Sequence, residues 1–270
     1  MKGRAALVLI AVFCAAIALA TPASADVTDV SGSGAFGESV NVSVLTGSVT
    51  SGPTPSVTLP SGGGGPVTDS LANVNLPGVL TTGLLNVSTQ GTNLGSHSGT
   101  STSSAQVAGA TLLSALAPSL GGSPLLTADV ISSQCTSNGD GSSGSSTLVG
   151  LTVAGSPVAV NPPPNTTIDL LGAVTVTLNE QIVTGSPGET SITVNAVHVR
   201  LNLDGIASGD VILSQSRCRA AGPDVLEGAP GGPAAPEGPG GPGGAGGPGA
   251  VTPATPTPAT PVTATPNLTG

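Results

Sequence analysis

From Val174 onward, apolar and polar residues alternate with a period of two. Val174, Val176, Leu178 and Ile182 fall on one side, and Thr175, Thr177, Asn179 and Gln181 on the other. A helix would scatter these positions around its axis, whereas a strand collects each set on one face. Gly185, Ser186, Pro187 and Gly188 then interrupt the pattern, and a second run returns from Thr190 to about Leu203. Two alternating runs around a Gly/Pro cluster predict a β-hairpin. The same alternation places Phe36, Val40, Val42 and Val44 opposite Ser39, Asn41 and Ser43.

In the return run Ile192, Val194 and Ala196 keep one phase, while Val197, Val199 and Leu201 take the other. A β-bulge near Ala196 and Val197 would let both sets face one core. Further strands are expected at 83–90, 101–108, 125–135, 147–160 and 209–218, separated by Gly, Ser and Pro clusters. The apolar stretch 107–120 is too short to span a bilayer and is interrupted by Gly109 and Pro118, so it reads as a buried strand or one short covering helix. No strand signal is followed by an amphipathic helix, and no fixed-period repeat supports a solenoid. The expected fold is all-β: an antiparallel β-sandwich-like domain followed by a disordered Pro/Gly/Thr-rich tail.

Residues 1–25 carry Lys2 and Arg4, an apolar run from Ala5 to Ala20, and the small residues Ala23, Ser24 and Ala25, which is the pattern of a removable signal peptide. Its loss takes Cys14 and Phe13 with it. The core of residues 26–222 must then be assembled from Val, Leu, Ile and Ala, because Phe36 is the only aromatic side chain left. Signal removal also leaves Arg200, Arg217 and Arg219 against 14 acidic residues, a net charge of −11. Such a chain does not neutralise a row of phosphates, so nucleic acid and anionic lipid are excluded as partners, and no membrane-spanning segment is expected after the signal. Export to an oxidising compartment leaves Cys135 and Cys218 as the thiols, which are expected to pair as a disulfide. Two cysteines with distant histidines do not make a zinc site, and no cofactor is expected.

Residues 223–270 are almost entirely Gly, Pro, Ala, Thr and Val. Glycine recurs every third position from 238 to 249, but four triplets are too few for a collagen helix, so this stretch reads as a flexible linker. The following Thr/Pro/Ala segment is expected to be extended and polyproline-like, with threonines open to O-linked sugar. The whole reads as a stalk.

Several runs within residues 31–219 resemble the choice-of-anchor P family of secreted actinobacterial surface proteins. They are Asn86 to Thr92 (NVSTQGT), Ser132 to Gly141 (SSQCTSNGDG), Leu178 to Gln181 (LNEQ), Asn195 to Leu201 (NAVHVRL) and Gln215 to Cys218 (QSRC). The resemblance implies an extracellular module of unassigned activity, with members that differ in how the C-terminus is held at the cell surface. It supplies no catalytic residues. For such a displayed chain, the expected partner is the cell wall or extracellular matrix. The end of the chain, Pro266 to Gly270 (PNLTG), is similar to a sortase signal without its Leu-Pro-x-Thr-Gly order.

Candidate chemistry is sparse. Asn138, Gly139, Asp140 and Gly141 read as a tight turn rather than a calcium loop with Asp129, since an EF-hand needs more oxygen donors in register. Glu180 interrupts an apolar face, and a carboxylate there requires a partner; Arg200 across the hairpin is the expected one, making a structural ion pair. His198 reads as a strand residue. No serine sits in a Gly-x-Ser-x-Gly elbow. The expected function is a non-enzymatic secreted or cell-surface structural and adhesive module on a stalk. The alternative is a calcium- or carbohydrate-binding extracellular module, and the third choice a hydrolase in which Asp129, Asp140, Glu180 and His198 would have to converge.

Overall fold

A computed structural model describes residues 26–222 except 45–46, 97, 121, 171, 187 and 204–206. The expected signal peptide 1–25, His97, Pro187 and the tail 223–270 lie outside the described residues.

Strands are numbered in chain order, and they form two antiparallel sheets packed face to face, as the alternation predicts. The first sheet runs β12 (Thr166–Leu170), β13 (Val174–Ser186), β14 (Glu189–Leu203), β15 (Ala207–Ala221), β1 (Gly34–Val44) and β2 (Gly47–Thr58). The second has five main strands in the order β3 (Gly64–Leu71), β6 (Leu85–Thr92), β7 (Thr100–Leu112), β8 (Leu126–Asn138) and β9 (Gly141–Val149). Short pieces continue it: β4 (Asn75–Leu76) and β5 (Leu80–Thr81) beside β7, and β10 (Thr152–Val153) and β11 (Ser156–Pro157) beside β8. The stretch 107–120 is both things expected of it, the end of β7 followed by a 3-10 helix, Ser114–Leu120.

The expected hairpin is β13–β14, closed by the Ser186–Glu189 pair. Four of the five further strands match β6, β7, β8 and β15. The fifth does not hold as one strand: 147–160 holds the end of β9, then β10 and β11, because Gly150, Ala154 and Gly155 have φ of +63°, +48° and +77° and turn the chain there. Beyond the two-residue pieces β4 and β5, the strands not anticipated are β2, β3, β12 and all but the end of β9. Each pairs on one side only. An edge strand buries less and is under less pressure to alternate, and sequences such as GSSGSSTLV carry no apolar period.

The phase change in β14 has a different cause from the bulge expected at Ala196 and Val197. Leu178–Val197 and Glu180–Asn195 keep one register, as do Val197–Leu213 and Asn195–Gln215, so no residue is inserted. Instead a row across the sheet, Asn179, Ala196, Ser214 and Gly37, reverses which face each strand presents. Asn179 and Ser214 adopt φ of +50° and +58°. Both apolar sets of β14 therefore reach the interior, where Ile192, Val194, Ala196, Val197, Val199 and Leu201 are all buried. The reversal also corrects two face assignments. Ile182 does not join Val174, Val176 and Leu178 but is 46% exposed. Phe36 is set apart from Val40 and Val42, because Ala35 takes the inward position beside Val87 and Ala105.

The interior differs on the two sides of this row. On one side Leu178, Val197, Val199, Val211 and Leu213 pack with Leu112, Leu126, Ile131 and Leu148 from the second sheet. On the other, the inward residues are mostly small: Ser101, Ser103, Ser133, Ser146 and Ser216, with Ile192 and Val194 beside Cys135 and Cys218. Ser103 donates to the Arg217 carbonyl at 2.9 Å, and Ser214 to the Ala105 carbonyl at 2.9 Å.

The start of the described chain is tied to the end of β15. Asp29 and Ala221 exchange backbone hydrogen bonds. Arg219 lies between two carboxylates, with Nη1 2.7 Å from Asp29 Oδ2 and Nε 2.8 Å from Glu189 Oε1. Burial works against Asp29 ionising, but the Arg219 and Ser31 hydrogen bonds outweigh it and hold this carboxyl below its ordinary value.

Candidate functional site

Cys135 of β8 and Cys218 of β15 are bonded, with Cα atoms 5.8 Å apart, so the disulfide joins the two sheets. Arg200 Nη2 lies 3.0 Å from Glu180 Oε1. These are the two pairings expected from the sequence.

The structure adds partners that the alternation hides. Because the face reverses at Asn179, Glu180 points to the outer face of the first sheet, away from Leu178, and stands near Asn195, His198 and Arg200. Its Oε2 accepts from Asn195 Nδ2 at 2.7 Å and lies 2.6 Å from His198 Nδ1. The other ring nitrogen, Nε2, lies 3.1 Å from Asp210 Oδ1. Gln215 Nε2 donates to Asn195 Oδ1 at 2.7 Å and closes the cluster. Glu180 and His198 are 8% and 7% exposed. Burial raises the Glu180 carboxyl, but the hydrogen bonds from Asn195 and His198 and the charges of His198 and Arg200 outweigh it and hold the group below its usual value.

Chemically this cluster is spent on itself. A general base needs a ring nitrogen within reach of the proton it takes. Both nitrogens of His198 face carboxylates, and among the described residues neither a hydroxyl nor a thiol is a partner of the ring. Of the four groups that a hydrolase would need together, the structure brings Glu180 and His198 into contact and leaves the others apart. Asp129 lies against Gly150 in β8, on the second sheet. Asp140 belongs to the β8–β9 turn, where Asn138 Oδ1 accepts from the Asp140 and Gly141 amides, both at 3.0 Å. That is the plain turn read from the sequence. Among the described residues, no three His, Cys, Asp or Glu side chains are grouped so as to hold a metal ion. Again among the described residues, no helix is long and apolar enough to cross a membrane.

One further acid went unnoticed in the sequence. Glu38 is 0% exposed, with Oε1 accepting from Ser51 at 2.8 Å and Oε2 without a partner among the described residues. Burial pushes its carboxyl up, and the Ser51 bond offsets only part of that.

The outer face of the second sheet is of another kind. Register alone aligns two polar rows across five strands. Ser104 lies beside Ser88 and Gln134, with Thr68 and Ser145 completing the row. Two residues along, Gln106 lies beside Asn86 and Ser132, with Ser70 and Thr147 at the ends. These rows floor a shallow trough of about 670 Å³, and an adjoining depression of about 440 Å³ shares Ser88, Ser104, Gln134 and Ser145 with it. The sequence marks these positions as polar, but only the register makes them one surface. No family model, curated protein or solved structure matches the chain.

Proposed function

We propose that this chain is a non-enzymatic secreted or cell-surface module with a structural and adhesive role, carried on its Gly/Pro/Thr-rich C-terminal stretch. The observation that carries the reading is the contrast between its two outer faces. The titratable cluster on the first sheet is closed by mutual bonds, while among the described residues the trough on the second holds hydroxyls and carboxamides with no acid–base pair, Asp69 being the one ionisable residue lining it. Adhesion needs a wide surface of accessible hydrogen-bonding groups, and hydrolysis needs converging acid and base. The signal-like residues 1–25, the cross-sheet disulfide and the runs similar to the choice-of-anchor P family all support display outside the cell.

Fractionation of the native culture tests this. The expected result is a chain lacking residues 1–25, found in the envelope fraction and retained by isolated envelope in a binding assay. A cytosolic chain with those residues intact would remove the reading.

A further inference from the structure

Resting on the adhesive reading, we infer that the trough of the second sheet is a binding site for an uncharged polysaccharide chain, gripped by hydrogen bonds alone. Its volume falls in the range of small-molecule sites, roughly 300 to 1,000 Å³. Its width of five strands is about 19 Å at the usual strand spacing, so the ligand spans several sugar units.

The walls define the chemistry. Serine, threonine, asparagine and glutamine each both donate and accept, which matches a polyol and gives no preference for an ion. Among the described residues, Asn86, Ser88, Ser104 and Gln106 make no side-chain hydrogen bond to the protein, so their capacity is free for a ligand. All three arginines of residues 26–270 lie on β14 or β15, and none of the second sheet's strands carries a lysine or arginine. A phosphate, sulfate or carboxylate ligand would meet no cation there and would meet Asp69 at the rim, in a protein of net negative charge. Asp69 and the net negative charge repel such a ligand with no cation to offset them, so anionic glycans are discriminated against. No aromatic residue lies on this sheet, which leaves hydrogen bonding as the recognition mode.

The test uses the mature full chain and a panel of neutral hexasaccharides (cellohexaose, maltohexaose and mannohexaose) against hexagalacturonate, with binding read by calorimetry or ligand-observed NMR. At least one neutral hexasaccharide is expected to bind and hexagalacturonate is not. Ser104→Arg fills the trough floor from an exposed position, and Gln106→Ala with Gln134→Ala removes carboxamides without adding bulk; each is expected to weaken binding at least tenfold. Asn41→Arg, exposed on the first sheet, is expected to leave it unchanged. Unaltered binding by both trough variants, or binding of hexagalacturonate alone, overturns the site. Failure of every hexasaccharide to bind, with envelope retention intact, overturns the glycan assignment and leaves the adhesive reading standing; loss of both removes the two together.

Discussion

The two ends of the interior are held by different physics. On the Leu178 side, large aliphatic side chains from both sheets fill the gap, and each buried leucine, isoleucine or valine contributes about 1.5 to 3 kcal/mol. On the Cys218 side, buried serines replace them, and a paired hydroxyl contributes only about 0.5 to 1.5 kcal/mol. Ser101, Ser146 and Ser216 do not have even that, since their hydroxyl oxygens are buried without a partner among the described residues. The crosslink sits in the end with the smaller driving force. A disulfide stabilises mainly through the unfolded chain, so it adds stability where native contacts are weakest without needing room for bulk.

Removing the crosslink should break this division most severely. Cys135→Ala with Cys218→Ala releases a loop spanning 83 residues, which loop-closure entropy values at about 4 to 5 kcal/mol, measured by urea unfolding. A loss under about 1 kcal/mol would mean that the serine end holds itself. Leu213→Ala, in the aliphatic end, should cost about 3 kcal/mol by the same measurement, within the usual span for buried leucine.

A smaller effect separates the two buried acids. Glu180→Gln should cost about 1.5 to 3 kcal/mol near neutral pH, the value of hydrogen bonds to a charged group. Because Glu180 is shifted down, its contribution is present above its ordinary value of 4.5 and fades as pH falls through the lower folded value. Glu38 is shifted up, so its contribution is complete below 4.5 and is lost as pH rises through the folded value. Glu38→Gln should therefore gain on the wild type as pH rises above 4.5, while the Glu180→Gln deficit should shrink below it. Unfolding midpoints across a pH series check both signs.

The smallest pair sharpens the serine end itself. Ser103→Ala loses a bond to the Arg217 carbonyl and one to Thr89, a cost of about 1 kcal/mol. Ser216→Ala deletes an unpaired buried hydroxyl and should be neutral or slightly stabilising. Equal losses in the two variants would show that both hydroxyls are paired in solution.

How much of this was readable beforehand depends on where each residue sits. Inner strands such as β7, β8, β13 and β15 are flanked on both sides, must bury every second side chain, and so announce themselves by period. The edge strands do not, which is why β2, β3, β12 and all but the end of β9 were missed. The reversal row was visible as a phase change in β14, but an inserted residue and a coordinated turn-over of several strands leave the same mark on one strand's sequence. That ambiguity put Ile182 in the core and hid Asn195 and His198 as partners of Glu180. The Arg219 clasp has no local signature at all, since Asp29 and Glu189 are 190 and 30 residues away from it in the chain.

The position of Cys218 near the end of β15 decides how the domain answers a pull. Tension applied at Gly222 enters β15 and, within four residues, meets a covalent branch into Cys135, three residues before the end of β8. The load is then shared between strands of opposite sheets, and the rest of β15, hydrogen-bonded along both flanks to β14 and β1, is sheared as a unit and not peeled bond by bond. A domain tugged from this end therefore passes force directly to the sheet that carries the trough.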